Sequence, residues 1–124
     1  MNFFTLIAFA IINIYLAVLS LKAADLTRQE PIVQIVEMLG SSGIHHYYNP
    51  SNLEFATGKL YRLIIKNKSN SKHYFSSEKF SKSIFTRKIQ INDNEKKIAE
   101  VKGIINTVEI WPMQELEWWF VPIK

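Results

Sequence analysis

Cysteine is absent from the 124 residues, so neither a disulfide framework nor a thiolate metal site can be built from this chain alone. A glycine-rich phosphate loop, a Gly-x-Ser-x-Gly elbow and a His-Glu-x-x-His helix are missing too. No residues are set out to carry catalysis, and the chain is expected not to be an enzyme. A basic stripe with interleaved aromatic platforms is also lacking. The lysines around Lys66, Lys68 and Lys72 are interrupted by Asn and Ser, which excludes nucleic acid as an expected partner.

What is present begins with an apolar run. Phe3 to Leu21 is broken only by Thr5, Asn13 and Ser20, and at about 1.5 Å per residue it nearly matches the hydrocarbon thickness of a bilayer. Two readings follow. Residues 1–23 are a secretory signal cut after Ala23 or Ala24, or they are an uncleaved anchor that touches the membrane through residues 3–21. Small Ala23-Ala24 followed by polar Asp25, Thr27, Arg28 and Gln29 speaks for cleavage. The cation-free Met1-Asn2 and the Leu21 or Lys22 at the −3 position speak against it. Either way the remainder, 24–124, is expected in the periplasm or otherwise outside the cytoplasm. The chain's formal charge is +4. Without Lys22 the exported part keeps about +3, spread over many acidic and basic residues, which is a solubilising surface.

From Glu30 onward short apolar runs alternate with Asn, Ser, Gly and Pro at the spacing of an all-β domain. Ile32 to Val36 reads as a first strand, closed by the break Gly40-Ser41-Ser42-Gly43, and the next strand is expected near Leu53. After the turn Thr57-Gly58-Lys59, Tyr61, Leu63, Ile65 and Asn67 share one face and Arg62, Ile64 and Lys66 the other. Lys68 to Lys72 is a polar loop, and His73-Tyr74-Phe75 resumes the apolar pattern. Ser77 can cap one helical turn that carries Phe80. Ile89 to Ile91, Ile98 to Val101 and Ile104 to Ile110 are further strands. In a final strand, Leu116 to Phe120, Leu116, Trp118 and Phe120 face the core and Glu117 faces solvent. Pro122-Ile123-Lys124 would leave that strand without a downstream partner.

Asn49 to Asn67, His73-Tyr74-Phe75, Phe80, Arg87-Lys88, Glu109 and Trp118 to Pro122 with Lys124 together resemble the bacterial cupredoxins, from roughly Ile44 to Lys124. The resemblance implies a Greek-key β-sandwich and a role in electron transfer or copper handling, with copper as cofactor and a redox protein as a possible partner. It implies that His73, after the strand ending at Asn67, is the first metal ligand. It also implies a further strand and a loop supplying Cys, His and Met beyond Phe120-Val121-Pro122. None of these is present, so the domain is expected to be incomplete at its C-terminus, with its copper site impaired.

Other candidates are weaker. His45-His46 are adjacent, and neighbours on a strand point to opposite faces, so both are expected as surface histidines. Met113 stands in a bend and is not taken as an axial ligand. Glu115 and Glu117, two apart on a strand, are expected on its solvated side and not as a catalytic pair. A metal-free sandwich that binds another protein or packs beside a membrane partner is the alternative function.

Overall fold

The computed structural model describes residues 25–41 and 44–124; the apolar run and its cleavage or retention lie outside the described residues. Among those described, no helix is long and apolar enough to cross a membrane. A 3₁₀ turn, Leu26–Arg28, capped by the Asp25 side chain, leads into eight strands. They are β1 Ile32–Ser41, β2 Ile44–Asn49, β3 Tyr61–Asn67, β4 His73–Ser76, β5 Ile84–Asp93, β6 Lys96–Val101, β7 Thr107–Ile110 and β8 Gln114–Pro122, with one short helix, α1 Glu78–Lys82, between β4 and β5.

Six strands form one sheet in the order β2-β1-β3-β8-β5-β6, and β4 pairs with β7 in a second. The β1–β3 contact is parallel and the other pairings are antiparallel. The alternation written into β3 sets which face is buried. Tyr61, Leu63 and Ile65 point inward with Val36 and Met38 of β1 and Leu116, Trp118 and Phe120 of β8. The second layer closes over them with Ile110, Phe75 and Val108. Phe80 of α1 meets Trp118 and Phe120 edge-on, at 5.2 and 4.9 Å between ring centroids, the geometry favoured by the ring quadrupoles. Ser77 caps α1 by accepting a hydrogen bond from the Phe80 N–H.

Two expectations are corrected. The strand expected near Leu53 does not form. That segment is irregular, and it drops Leu53, Phe55 and Leu60 onto the core while the Ala56 N–H donates to the Tyr61 hydroxyl at 2.7 Å. The strand that does form in this region is β2, whose exposed residues Tyr47 and Tyr48 gave no alternating apolar signal. The last strand, expected to have no partner downstream of it, is flanked by two strands that precede it in the chain, β3 on one side and β5 on the other. Glu117, expected in water, is buried.

Two turns explain the hairpin registers. Asn94 and Glu95 both have positive φ, 48° and 65°, the mirror-image two-residue turn that matches strand twist. In the β1–β2 hairpin, Leu39 pairs with Tyr47 and Ser41 with Ile44, so Gly40 alone opposes His45 and His46. Gly40 has φ +129°, and a Cβ there would lie 2.8 Å from the His45 carbonyl oxygen. Only glycine fits that bulge.

Candidate functional site

His73 opens β4 opposite Ile110 of β7, at the end of the sandwich reached by the last residue of β3. That position is held by Asn67. Its Nδ2 donates to the carbonyl oxygens of Ser71 (2.9 Å) and Ile110 (2.7 Å). Its Oδ1 accepts from the N–H and hydroxyl of Ser69 (3.0 and 2.7 Å). One buried amide thus folds the polar loop between β3 and β4 back on itself and ties it to β7. The Met113 N–H donates to the Asn67 carbonyl at 3.2 Å, bringing the bend before β8 to the same end.

His73 is 3 % exposed, and its Nε2 is buried without a hydrogen-bond partner. Burial, and then the nearby charge of His46, push its pKa below the usual imidazole value of 6.5, so the ring is neutral at pH 7. Neutral imidazole is the form that coordinates a metal. His46 lies flat on His73, with ring centroids 3.9 Å apart and planes 19° from parallel. Its Nε2 is 3.2 Å from the Ser71 hydroxyl.

The two histidines of the His45-His46 pair are both exposed, as expected. The positive φ of His45, 55°, and the bulge opposite Gly40 break the simple alternation, and His46 is delivered onto His73. No spacing in the sequence announces that contact, because it joins residues on different sheets through a bulge. Met113 is 69 % exposed and lines an open pocket of about 340 Å³ with Lys66, Lys68, Asn94 and Glu95.

These residues do not fit a blue-copper centre. Imidazole lone pairs lie in the ring plane, so two nearly parallel stacked rings cannot aim both at one ion without one ring turning. Among the described residues no group of three His, Cys, Asp or Glu side chains converges for a metal, and the thiolate that such a centre requires is absent.

A second cluster occupies the outer face of the large sheet. The Arg62 guanidinium pairs with Glu117, and Asn92 and Gln90 donate to its other oxygen at 2.7 and 3.1 Å. Burial works to raise the Glu117 pKa. The hydrogen bonds from Arg62 and Asn92 and the charges of Arg62 and Lys88 outweigh it, so the carboxyl sits below its usual 4.5. Next to it, Arg62, Arg87 and Lys88 stand 5.4, 5.4 and 5.1 Å from the centre of the Trp119 ring. The register of β5 slips between Thr86 and Lys88, which puts two consecutive cations over one indole. Both Glu117 oxygens are partnered, the neighbouring Trp119 Nε1 is buried without a hydrogen-bond partner, and the cluster offers no open acid–base pair.

No family model matches the sequence, and no curated protein matches it. Among solved structures, the fold is similar to a multicopper oxidase from Campylobacter jejuni described as a metallo-oxidase, with a TM-score of 0.51 and 18% identity over 77% of this chain. The chain spans 25% of the length of that oxidase. The architecture is therefore a cupredoxin-like β-sandwich: the sequence pattern implied an all-β domain, and the resemblance implied this form of it. The expectation that the chain is not an enzyme is corrected by the same match, because a neighbour of this fold is an oxidase and the fold is therefore one that enzymes use. At this identity the likeness concerns the fold alone.

Proposed function

We propose that this chain is an exported copper-binding protein of cupredoxin-like fold whose family role, copper handling or electron transfer, is impaired here because the Cys/His/Met loop is lacking, with His73 as its remaining metal-ligating imidazole. The observation that carries the reading is the His73 Nε2, a buried nitrogen with no hydrogen-bond partner at the loop end of the sandwich. A buried polar atom without a partner costs about 1–3 kcal/mol, and folds that retain one commonly use it. Copper by fold kinship and an extracytoplasmic site by the apolar N-terminal run complete the case. With no cysteine the chain does not supply the thiolate that a blue-copper redox centre needs.

The described donors favour a single imidazole contact that opens when His46 turns aside. Titrating Cu(I) and Cu(II) into the full chain, followed by ¹⁵N signals of the imidazoles, tests this. The expected result is a metal-induced shift at His73 that His73→Gln abolishes, with no intense thiolate charge-transfer band. Binding that survives His73→Gln, or no binding at all, overturns it. In the second case the metal-free interaction module becomes the better reading, which the flat packing of His46 on His73 favours.

A further inference from the structure

We infer that the Asp25 end of the sandwich is a membrane-facing surface that seats in the headgroup layer of an anionic bilayer, with residues 3–21 retained as the anchor. An open groove of about 610 Å³ lies at this end, lined by the apolar Leu26, Phe85, Val121 and Ile123 and by Asp25 and Arg87. Phe85 is 55 % exposed, Ile123 52 % and Leu26 40 %. Ile84 faces inward as a buried core residue, so the pleat of β5 turns Phe85 outward. Large apolar side chains gathered in one groove call for an apolar contact, unlike single ones scattered over a surface.

Covalent geometry identifies the contact. The residue that follows the chain's apolar run, after Lys22-Ala23-Ala24, is Asp25, and Asp25 itself lines the groove. At no more than about 3.6 Å per residue, the groove lies within about 15 Å of Leu21. A run of bilayer length ending there holds this face, and no other, at the membrane surface. The rim has the composition of such an interface. Asp25 is ion-paired with Arg28 at 2.9 Å, while Arg87, which lines the groove and also lies over Trp119, and Lys124 beside Ile123 are the cations next to an exposed aromatic ring. The apolar run folded back into the groove is a poorer occupant. Four apolar lining residues would leave most faces of a segment that is apolar all round in water.

The geometry has a consequence for the candidate site. β8 starts at Gln114 and ends at Pro122, so Met113 and the Asn67–His73 end lie about 30 Å from the groove along the strand. Anchoring at the groove points His73 away from the bilayer, toward soluble partners.

The cysteine-free sequence allows a clean test with the full chain. Phe85→Cys, Ile123→Cys and Met113→Cys are each labelled with an environment-sensitive fluorophore, and the proteins are reconstituted in phosphatidylcholine/phosphatidylglycerol vesicles containing a headgroup-region nitroxide lipid. All three positions are exposed, so the fold tolerates the label, and thermal unfolding of each variant checks this. The expected result is at least twofold quenching at positions 85 and 123, none at 113, and a weaker effect at 85 when Arg87→Glu is added. Equal quenching at the three positions overturns the inference. Concentration-dependent burial of the label at 85 in detergent without nitroxide lipid assigns the groove to a second copy and also overturns it. Recovery of a shortened, soluble chain after export in cells does the same.

Discussion

The Asn67 side chain donates a hydrogen bond to the carbonyl oxygen of Ile110 at 2.7 Å, and Ile110 is the residue that pairs with His73 across the two-stranded sheet. The amide therefore links the last residue of β3 in one layer to the strand that frames His73 in the other. Its remaining bonds to Ser69 and Ser71 fix the loop between them.

Asn67→Ala removes this amide and leaves the Ile110 carbonyl buried without that donor. The expected loss is about 3 kcal/mol, since the buried bonds go and their former partners stay desolvated. Chemical denaturation measures it. A narrowed chemical-shift difference between the His73 and His46 imidazoles would report the loosened loop.

The depressed pKa of His73 couples protonation to folding. Above the unfolded-state value of 6.5 both states hold the ring neutral, and its contribution to stability is fully present. As pH falls below that value the unfolded chain takes up a proton that the folded chain resists, so stability is lost progressively until pH passes the lowered folded-state pKa. The urea midpoint should fall across that window. His73→Phe should flatten the profile there, and at pH 7 it should cost little because it also removes an unpartnered nitrogen.

Glu117 behaves in the same sense at lower pH. Its folded-state pKa lies below 4.5, so its contribution is complete above that value and lost as pH falls through the folded-state pKa. Glu117→Ala leaves Asn92, Gln90 and Arg62 without their shared acceptor, and an expected loss of about 1–3 kcal/mol follows, moderated because the Arg62 side chain is 36% exposed. An isosteric Glu117→Gln keeps an acceptor and should lose less. Denaturation midpoints of the wild type and the two variants, followed downward from pH 7, separate charge from hydrogen bonding, because the gap between the wild type and Glu117→Gln should narrow as pH falls through the lowered folded-state pKa.

Gly40→Ala places a Cβ 2.8 Å from the His45 carbonyl oxygen in a backbone with φ +129°. The expected cost is about 1–3 kcal/mol. Because the bulge presents His46 to His73, the substitution should also separate the two rings, seen as loss of the ring-current shift on the His73 protons. Gly58→Ala, at φ 82° with no atom near the added Cβ, should cost strain but leave the histidine signals unmoved.

The period-two pattern of residues 61–67 and 116–120 determined by itself which side chains make the core. Tyr61, Leu63, Ile65, Leu116, Trp118 and Phe120 are buried as the alternation requires, because a pleated strand against an apolar layer has only one way to hide every second residue. The capped turn at Ser77 and the break at Gly58 are equally local, since each depends on neighbours within a few residues. The position of His73 at a loop-to-strand junction was legible for the same reason.

Tertiary structure decided the rest. Glu117 looked like a solvent-facing residue on its own strand, and only the side chains that β3 and β5 lay across it, Arg62, Gln90 and Asn92, take it out of water. The stacking of His46 on His73 needs a bulge, a hairpin and the meeting of two sheets, none of which leaves a periodic trace. Local backbone preferences are written residue by residue in the chain. Desolvation and ring packing arise only when segments distant in sequence share the same volume.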